Sequence, residues 1–247
     1  VFGHPADWDR LQEIAAEYDL RLIEDSAEAL GAEYKGRKAG SFGEAAVFGF
    51  YPNKQITTGE GGAILTDNES LASLCVSLRN QGRSAADRWL LHERLGYNFR
   101  LSDINCALGL AQLSRIDEIK AGRARVAHWY QQMLADEDRL IVPAAPDGVE
   151  MSWFVFVVRL AERFGPDDRD RLLDEMRRQK IQVSNYFPPI HLQPFIAARY
   201  GHGPGDFPVC EQVAARTVAL PFHTQLSEQD VAFVCGALRG VLDTIRR

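Results

Sequence analysis

No uninterrupted apolar run in these 247 residues approaches the roughly 20 positions that a membrane-spanning helix needs. A basic leader followed by an apolar stretch and a cleavage site is also missing, so nothing points to export and the chain reads as cytoplasmic. Basic residues are in the minority. There are 28 Lys and Arg against 34 Asp and Glu, a formal net charge of −6, with no long basic run, which argues against nucleic acid as the main partner. The four cysteines, Cys75, Cys106, Cys210 and Cys235, are scattered, form no C-x-x-C pair and have no histidine cluster beside them. That pattern argues against structural zinc, or any metal centre, and for buried or half-buried thiols in a reducing compartment. Internal repeats and low-complexity segments are absent as well.

What is present is ordinary for a soluble globular protein: 46% hydrophobic and 25% charged residues. The length suits one large domain, or a large domain plus a small one. Residue 1 is Val, and Val1-Phe2-Gly3 reads as the tail of a strand running into a turn, so the sequence reads as starting inside a domain.

Along the chain, Asp7 can cap a helix whose apolar positions Trp8, Leu11, Ile14, Ala15 and Tyr18 recur at helical spacing. Leu20 to Glu24 is a short apolar run ending in Asp25, as a buried parallel strand would. A turn at Gly40 to Gly43 leads to a strand over Ala45 to Phe50. The Gly59-Glu60-Gly61-Gly62 turn leads to a strand over Ala63 to Thr66, after which Asp67 caps a helix reaching about Arg79. Strands alternating with helices at short intervals predict an α/β layer architecture. From Ser102 or Asp103 to about Asp136 the pattern is helical and long, with a break near Arg115. Pro143 and Pro146 close it, and the expected organisation is a large domain over 1–143 and a small α+β domain over 144–247. The second domain is expected to hold a strand (Trp153 to Leu160), a helix (Pro166 to Gln179), a short strand (Ile181 to Val183), a proline-rich loop and two further helices.

Three features stand at strand ends, where open α/β sheets place their ligands. They are Asp25 in Ile23-Glu24-Asp25-Ser26-Ala27-Glu28, Lys54 in Phe48-Gly49-Phe50-Tyr51-Pro52-Asn53-Lys54, and the glycine turn around Glu60. Each alone has a plain reading: a solvated loop lysine, a helix-capping aspartate, simple turn chemistry.

Together and in this order they resemble the DegT/DnrJ/EryC1/StrS aminotransferases. The resemblance runs from Glu24-Asp25-Ser26-Ala27 through Gly40-Ser41-Phe42-Gly43 and Lys54 to Thr58-Gly59-Glu60-Gly61-Gly62. It continues in Arg79-Asn80-Gln81-Gly82, Gly96-Tyr97-Asn98-Phe99-Arg100, Asp103 to Gly109, Ser152-Trp153-Phe154, Tyr186 to His191 and Leu220-Pro221-Phe222-His223. It implies a fold-type-I α/β enzyme, with a mostly parallel sheet flanked by helices in an incomplete large domain and a small C-terminal α+β domain. It also implies pyridoxal 5'-phosphate as cofactor, glutamate as amino donor and a nucleotide-linked keto sugar as acceptor, in cell-surface polysaccharide or secondary-metabolite biosynthesis.

The residue types suit that chemistry. A lysine amine can form an imine with the cofactor aldehyde and, once released, carry a proton. By the resemblance, Lys54 is that lysine, and Asp25 keeps the pyridine nitrogen protonated so that the ring acts as an electron sink. Ala27, Glu28 and Gly49 fall against the cofactor. Asn98 reaches the cofactor phosphate of the neighbouring subunit of a homodimer with shared active sites, with Arg100 beside it, while Tyr186 and His191 approach the sugar nucleotide. Asn98 read plainly shapes the loop before the long helix, and Tyr186 and His191 read plainly belong to a packed proline-rich turn. Departures from the commoner family pattern are Gly49 where serine is frequent, Glu28 where His or Gln is usual, and Gln81 where His is frequent. The family also carries a further stretch ahead of the point where this sequence begins, with a phosphate-binding turn and an aromatic that stacks on the ring. Two alternatives remain: a sugar dehydratase of the same family, which Lys54 argues against because that branch replaces the lysine, and a non-enzymatic regulatory paralogue.

Overall fold

The structure, a computed structural model, describes residues 1–84 and 91–245. In chain order its elements are α1 (Trp8–Glu17), β1 (Ile23–Asp25), β2 (Glu33–Tyr34), β3 (Arg37–Lys38), β4 (Ala45–Gly49), β5 (Gly62–Leu65), α2 (Glu69–Arg79), α3 (Asp103–Leu113) and α4 (Ile116–Met133). There follow β6 (Leu140–Ile141), β7 (Val149–Glu150), β8 (Phe156–Leu160), α5 (Pro166–Arg178), α6 (Pro194–Tyr200), α7 (Pro208–Ala214), β9 (Thr217–Leu220) and α8 (Glu228–Ile245). They fall into two compact units. The first holds Gly3–Lys120 and Ala145–Phe154; the second holds Ala121–Ala144 and the chain from Val155 onward.

In the first unit β1 and β4 pair in parallel, with Asp25 opposite Val47, and β5 returns antiparallel along β4. A 12-residue connection, Phe50 to Gly61, joins β4 to β5 and carries Lys54. Because side chains alternate across a strand, Glu24 and Asp25 face opposite sides of the sheet. Glu24 is buried and Asp25 exposed. The Glu24 carboxylate accepts the backbone N–H groups of Gly40 (2.6 Å), Phe42 and Gly43 (2.8 Å) and the Ser26 hydroxyl (3.4 Å). It therefore fixes the turn that feeds β4. Gly40 adopts φ +95°, and a Cβ there would stand 2.7 Å from the Phe48 ring, so glycine is required on both counts. Phe42, at the centre of that turn, stacks on Trp8 of α1 at 5.0 Å and meets the edge of Tyr34 at 6.1 Å, forming a small core with Leu22 and Val149 against it.

The second unit is an antiparallel sheet of order β6-β8-β9. Its core gathers Tyr130, Leu134, Phe156, Val158, Leu160, Leu172, Met176, Val218, Leu238 and Leu242, all fully buried. Each large apolar side chain buried this way stabilises by about 1.5–3 kcal/mol.

Several sequence expectations are corrected. The cap of α2 is Asn68, whose side chain accepts the Leu71 N–H at 3.1 Å, not Asp67. Two of the thiols, Cys106 and Cys210, are exposed, because α3 and α7 bury no residue. Ile181 to Val183 forms no strand: the Ile181 N–H closes onto the end of α5 at Met176 O, and the Arg177 guanidinium takes the Val183 carbonyl. The strands beside β8 are β6 and β9, and β9 lies in a stretch expected to be loop and helix. Among the described residues three helices, not two, follow the proline-rich loop. β8 begins at Phe156 rather than Trp153, since the Ser152 N–H is bonded to Gly3 O in the first unit. The helical break is found at Ser114–Arg115, between α3 and α4.

Replacing Glu24 by Gln puts an NH2 group against backbone donors. We expect a loss of about 2–4 kcal/mol in urea unfolding. A change below about 0.5 kcal/mol would show that the carboxylate does not hold the turn.

Candidate active site

Lys54 lies just past the end of β4, in a loop built to hold it. The Lys54 N–H bonds to Tyr51 O at 3.0 Å, the Thr58 N–H and Thr57 hydroxyl both reach Phe50 O at 3.0 Å, and the Phe50 N–H bonds to Gly61 O at 2.8 Å. From α3, the Gln112 amide grips the loop twice, accepting from Thr57 N (3.1 Å) and donating to Thr57 O (2.8 Å). The glycines of the Glu60 turn supply positive φ, +81° at Gly59 and +154° at Gly61, which a β-carbon would oppose.

The Lys54 side chain is 15% exposed; its Nζ meets Glu28 Oε1 at 3.2 Å and stands over the Phe154 ring at 4.9 Å from the centroid. Glu28 follows β1 by three residues, so the ends of two adjacent parallel strands deliver the pair. Asp25 closes β1 with its carboxylate exposed, Oδ1 accepting the Ala27 N–H at 3.2 Å. A Cβ added to Gly49 would stand 3.4 Å from the Ala27 Cβ, an ordinary contact. Packing alone therefore does not demand glycine there, and the glycine keeps that edge of the site flat.

The structure thus brings Lys54 and Glu28 into contact, sets Ala27 beside Gly49, and leaves Asp25 on the open face of the same strand end. Asn98 and Arg100 belong to a different segment. Residues 97–99 run beside the end of α2 through Gln81 N to Tyr97 O (2.7 Å) and Phe99 N to Arg79 O (2.9 Å), and the Arg100 guanidinium bonds to the Asn80 side chain at 2.8 Å. Asn98 and Arg100 are both exposed.

Tyr186 and His191 lie in the second unit. Tyr186 is half-buried, with its N–H on Thr217 Oγ1 at 3.3 Å. His191 is buried, packs on Phe207 at 4.7 Å and places Nε2 3.0 Å from Glu211 Oε1. The Gly205 N–H, and then the His191 ring, hold the Glu211 carboxyl below its ordinary range. Glu211, paired with His191, accepts the Gly205 and Phe207 N–H groups and so ties down the loop over 201–207.

The motif reading gave no role to Gln55, Gln112, Glu24 or Phe154, which frame the site. Their only sequence signal was position: Gln55 follows Lys54, Glu24 precedes Asp25, and Phe154 ends the Ser-Trp-Phe run. The arrangement fits pyridoxal 5'-phosphate at two points. An amine is available for its aldehyde, and a carboxylate at a strand end is available for its ring nitrogen.

Among proteins of known sequence, GDP-perosamine synthase of Caulobacter vibrioides is 38% identical over 245 residues, covering 98% of this chain and 64% of that protein. The dTDP-3-amino-3,4,6-trideoxy-alpha-D-glucose transaminase of Streptomyces venezuelae is 33% identical, covering 97% of this chain and 61% of that protein. Among solved structures, DesV of S. venezuelae superposes with a TM-score of 0.88 at 32% identity, covering 100% of this chain and 64% of that chain. The chain therefore spans a little under two thirds of the length of these relatives. The family profile matches residues 1–239, and this chain belongs to the DegT/DnrJ/EryC1/StrS aminotransferase family.

Proposed function

We propose that the protein transfers an amino group from a donor such as glutamate to a keto sugar linked to a nucleotide, as a cytoplasmic homodimer with shared active sites. The observation that carries this reading is the Lys54 amine held between Glu28 and the Phe154 ring at the end of β4, with Asp25 at the end of the neighbouring parallel strand. The names of the relatives support the nucleotide-sugar acceptor, and family membership supports the cofactor. No described helix is long and apolar enough to cross a membrane.

Pyridoxal 5'-phosphate, when bound, supplies a carbonyl that takes up the amino group and a ring that spreads the resulting negative charge. Lys54 Nζ holds its aldehyde carbon and, when displaced, carries a proton to and from the reacting carbon. The Asp25 carboxylate holds the proton on the ring nitrogen, a charge-assisted hydrogen bond that an amide could not replace. Glu28 orients the amine, and Ala27 and Gly49 give the ring a flat neighbour. Tyr186 and His191 are assigned to the sugar nucleotide, His191 by way of Glu211, which holds the loop over 201–207 in shape.

The shared site is supported by apolar surface. Helix α3 buries none of its 11 residues, and Ile104 is 82% exposed, with Leu95 (90%) and Phe99 (71%) on the preceding segment. Apolar side chains this open, close together in sequence, suit burial against a second copy of the chain. On this reading Asn98 and Arg100 of the partner subunit complete the phosphate end of the site. An amide donor there holds a phosphate oxygen without adding charge.

Borohydride reduction of the cofactor-loaded protein is expected to leave a cofactor-sized mass on the peptide containing Lys54. Finding it on Lys35, Lys38 or Lys120 would end the reading. For the shared site, Lys54→Ala and Asn98→Ala subunits, each first shown to be impaired alone, are dissociated and mixed. A mixed dimer then holds one intact site, so up to about half of the sites in each mixed dimer should regain activity. No recovery, with mixed dimers confirmed by mass, would place Asn98 in its own chain's site.

A further inference from the structure

Gln55, the residue after Lys54, is buried at 4% exposure. Its Nε2 donates to Glu28 O at 2.7 Å and to Ser152 O at 2.9 Å, across 27 and 97 positions of sequence. Only the NH2 end of a carboxamide can face two carbonyls, so the orientation of the side chain is forced. The consequence is that Gln55 Oε1 is buried with no hydrogen-bond partner among the described residues. A buried acceptor left this way is a cost, and the fold accepts it to keep both donor bonds.

Those two bonds end on the backbones that supply the amine's neighbours. Glu28 carries the carboxylate 3.2 Å from Lys54 Nζ, and Ser152 lies two residues before Phe154, whose ring lies under the same nitrogen. Ser152 is locked in turn: its hydroxyl bonds to Leu30 O at 2.6 Å and its N–H to Gly3 O at 3.0 Å. Gly3 permits this approach only because it lacks a side chain, since a Cβ there would stand 2.0 Å from Ser152 O. Three distant segments, 28–30, 54–55 and 152–154, therefore meet behind one amine, with one amide joining them.

We propose that Gln55 is a positioning residue, whose carboxamide holds the Glu28 carboxylate and the Phe154 ring in place on the two sides of the Lys54 amine. It acts through Lys54 and touches no reacting atom. The proposal rests on the reading of Lys54 as the cofactor lysine. It also gives the Ser152-Trp153-Phe154 run a purpose, since that run supplies a carbonyl for Gln55 and a ring for the amine.

The test compares wild type with Gln55→Met, which keeps the volume and removes both donors. The readout is acetylation of individual lysines in the cofactor-free chain by acetic anhydride, scored by peptide mass. Lys120 is the internal standard. Its side chain is 16% exposed against 15% for Lys54, it is likewise paired with a carboxylate (Glu150, 2.8 Å), and it lies in the same unit. Loss of one net hydrogen bond from a local closing equilibrium should raise the Lys54-to-Lys120 labelling ratio roughly fivefold. An unchanged ratio, or an equal rise at both lysines, would reduce Gln55 to a packing residue and overturn the proposal. Should Gln55→Met fail to fold, the wild-type chain still decides. The two Gln55 carboxamide protons should exchange slowly with solvent in a 15N NMR experiment, and exchange at the rate of an exposed amide would overturn the proposal. Cofactor capture on Lys54 is scored separately in wild type. Its failure would refute the lysine assignment without touching the labelling ratio.

Discussion

The buried carboxylate of Glu24 is the constraint on which the first unit depends. It sits in the middle of β1 and gathers three backbone N–H groups from the turn over 40–43. Those donors have no strand partner of their own, and an unmet buried N–H is costly. The turn cannot shift without breaking them, so β4 enters the sheet in one register, Ala46 beside Glu24 and Val47 beside Asp25. The two-residue period of the strand then does the rest. With Glu24 inward, Asp25 must face outward, onto the open side at the strand end.

From that register the loop that carries Lys54 follows. β4 ends at Gly49, and the connection to β5 is closed by its own hydrogen bonds and gripped by Gln112 from α3. A lysine on an untethered loop would sample many rotamers in water. Here the side chain is mostly buried, with its amine against a carboxylate and an aromatic face. Such preorganisation suits the covalent anchor we propose Lys54 to be, since an amine already aimed loses little freedom on reacting.

Lys54 and Asp25 stood out in the sequence by residue type and by their order in the motif, and the structure sets them at or just past the ends of two neighbouring parallel strands. The elements with strong local signals were also legible: α1 with its Asp7 cap, β4, α5 with Pro166 at its start, and the break between α3 and α4. What stayed hidden depends on partners far along the chain. Glu24 reads as a strand residue until the turn over 40–43 is seen to fold onto it, and Gln55 reads as a loop residue until Ser152 arrives from 97 positions away. β9 is a four-residue run whose pairing with β8 decides its state, and propensity over so short a window decides little. Ile181 to Val183 has the composition of a strand but is taken up by the end of α5. His191 carried a motif signal, but its packing on Phe207 and its bond to Glu211 depend on a loop that carried no motif of its own.

The central claim, that this chain's amine and carboxylates serve amino transfer to a nucleotide-linked keto sugar, is tested most directly by following the nitrogen. The protein, supplied with pyridoxal 5'-phosphate and 15N-glutamate, is offered a panel of 3-keto and 4-keto sugar nucleotides, and the products are read by mass. The account predicts 15N in at least one nucleotide sugar and its loss in Lys54→Ala. Efficient 15N transfer to ordinary 2-keto acids, with none to any sugar nucleotide, would contradict it.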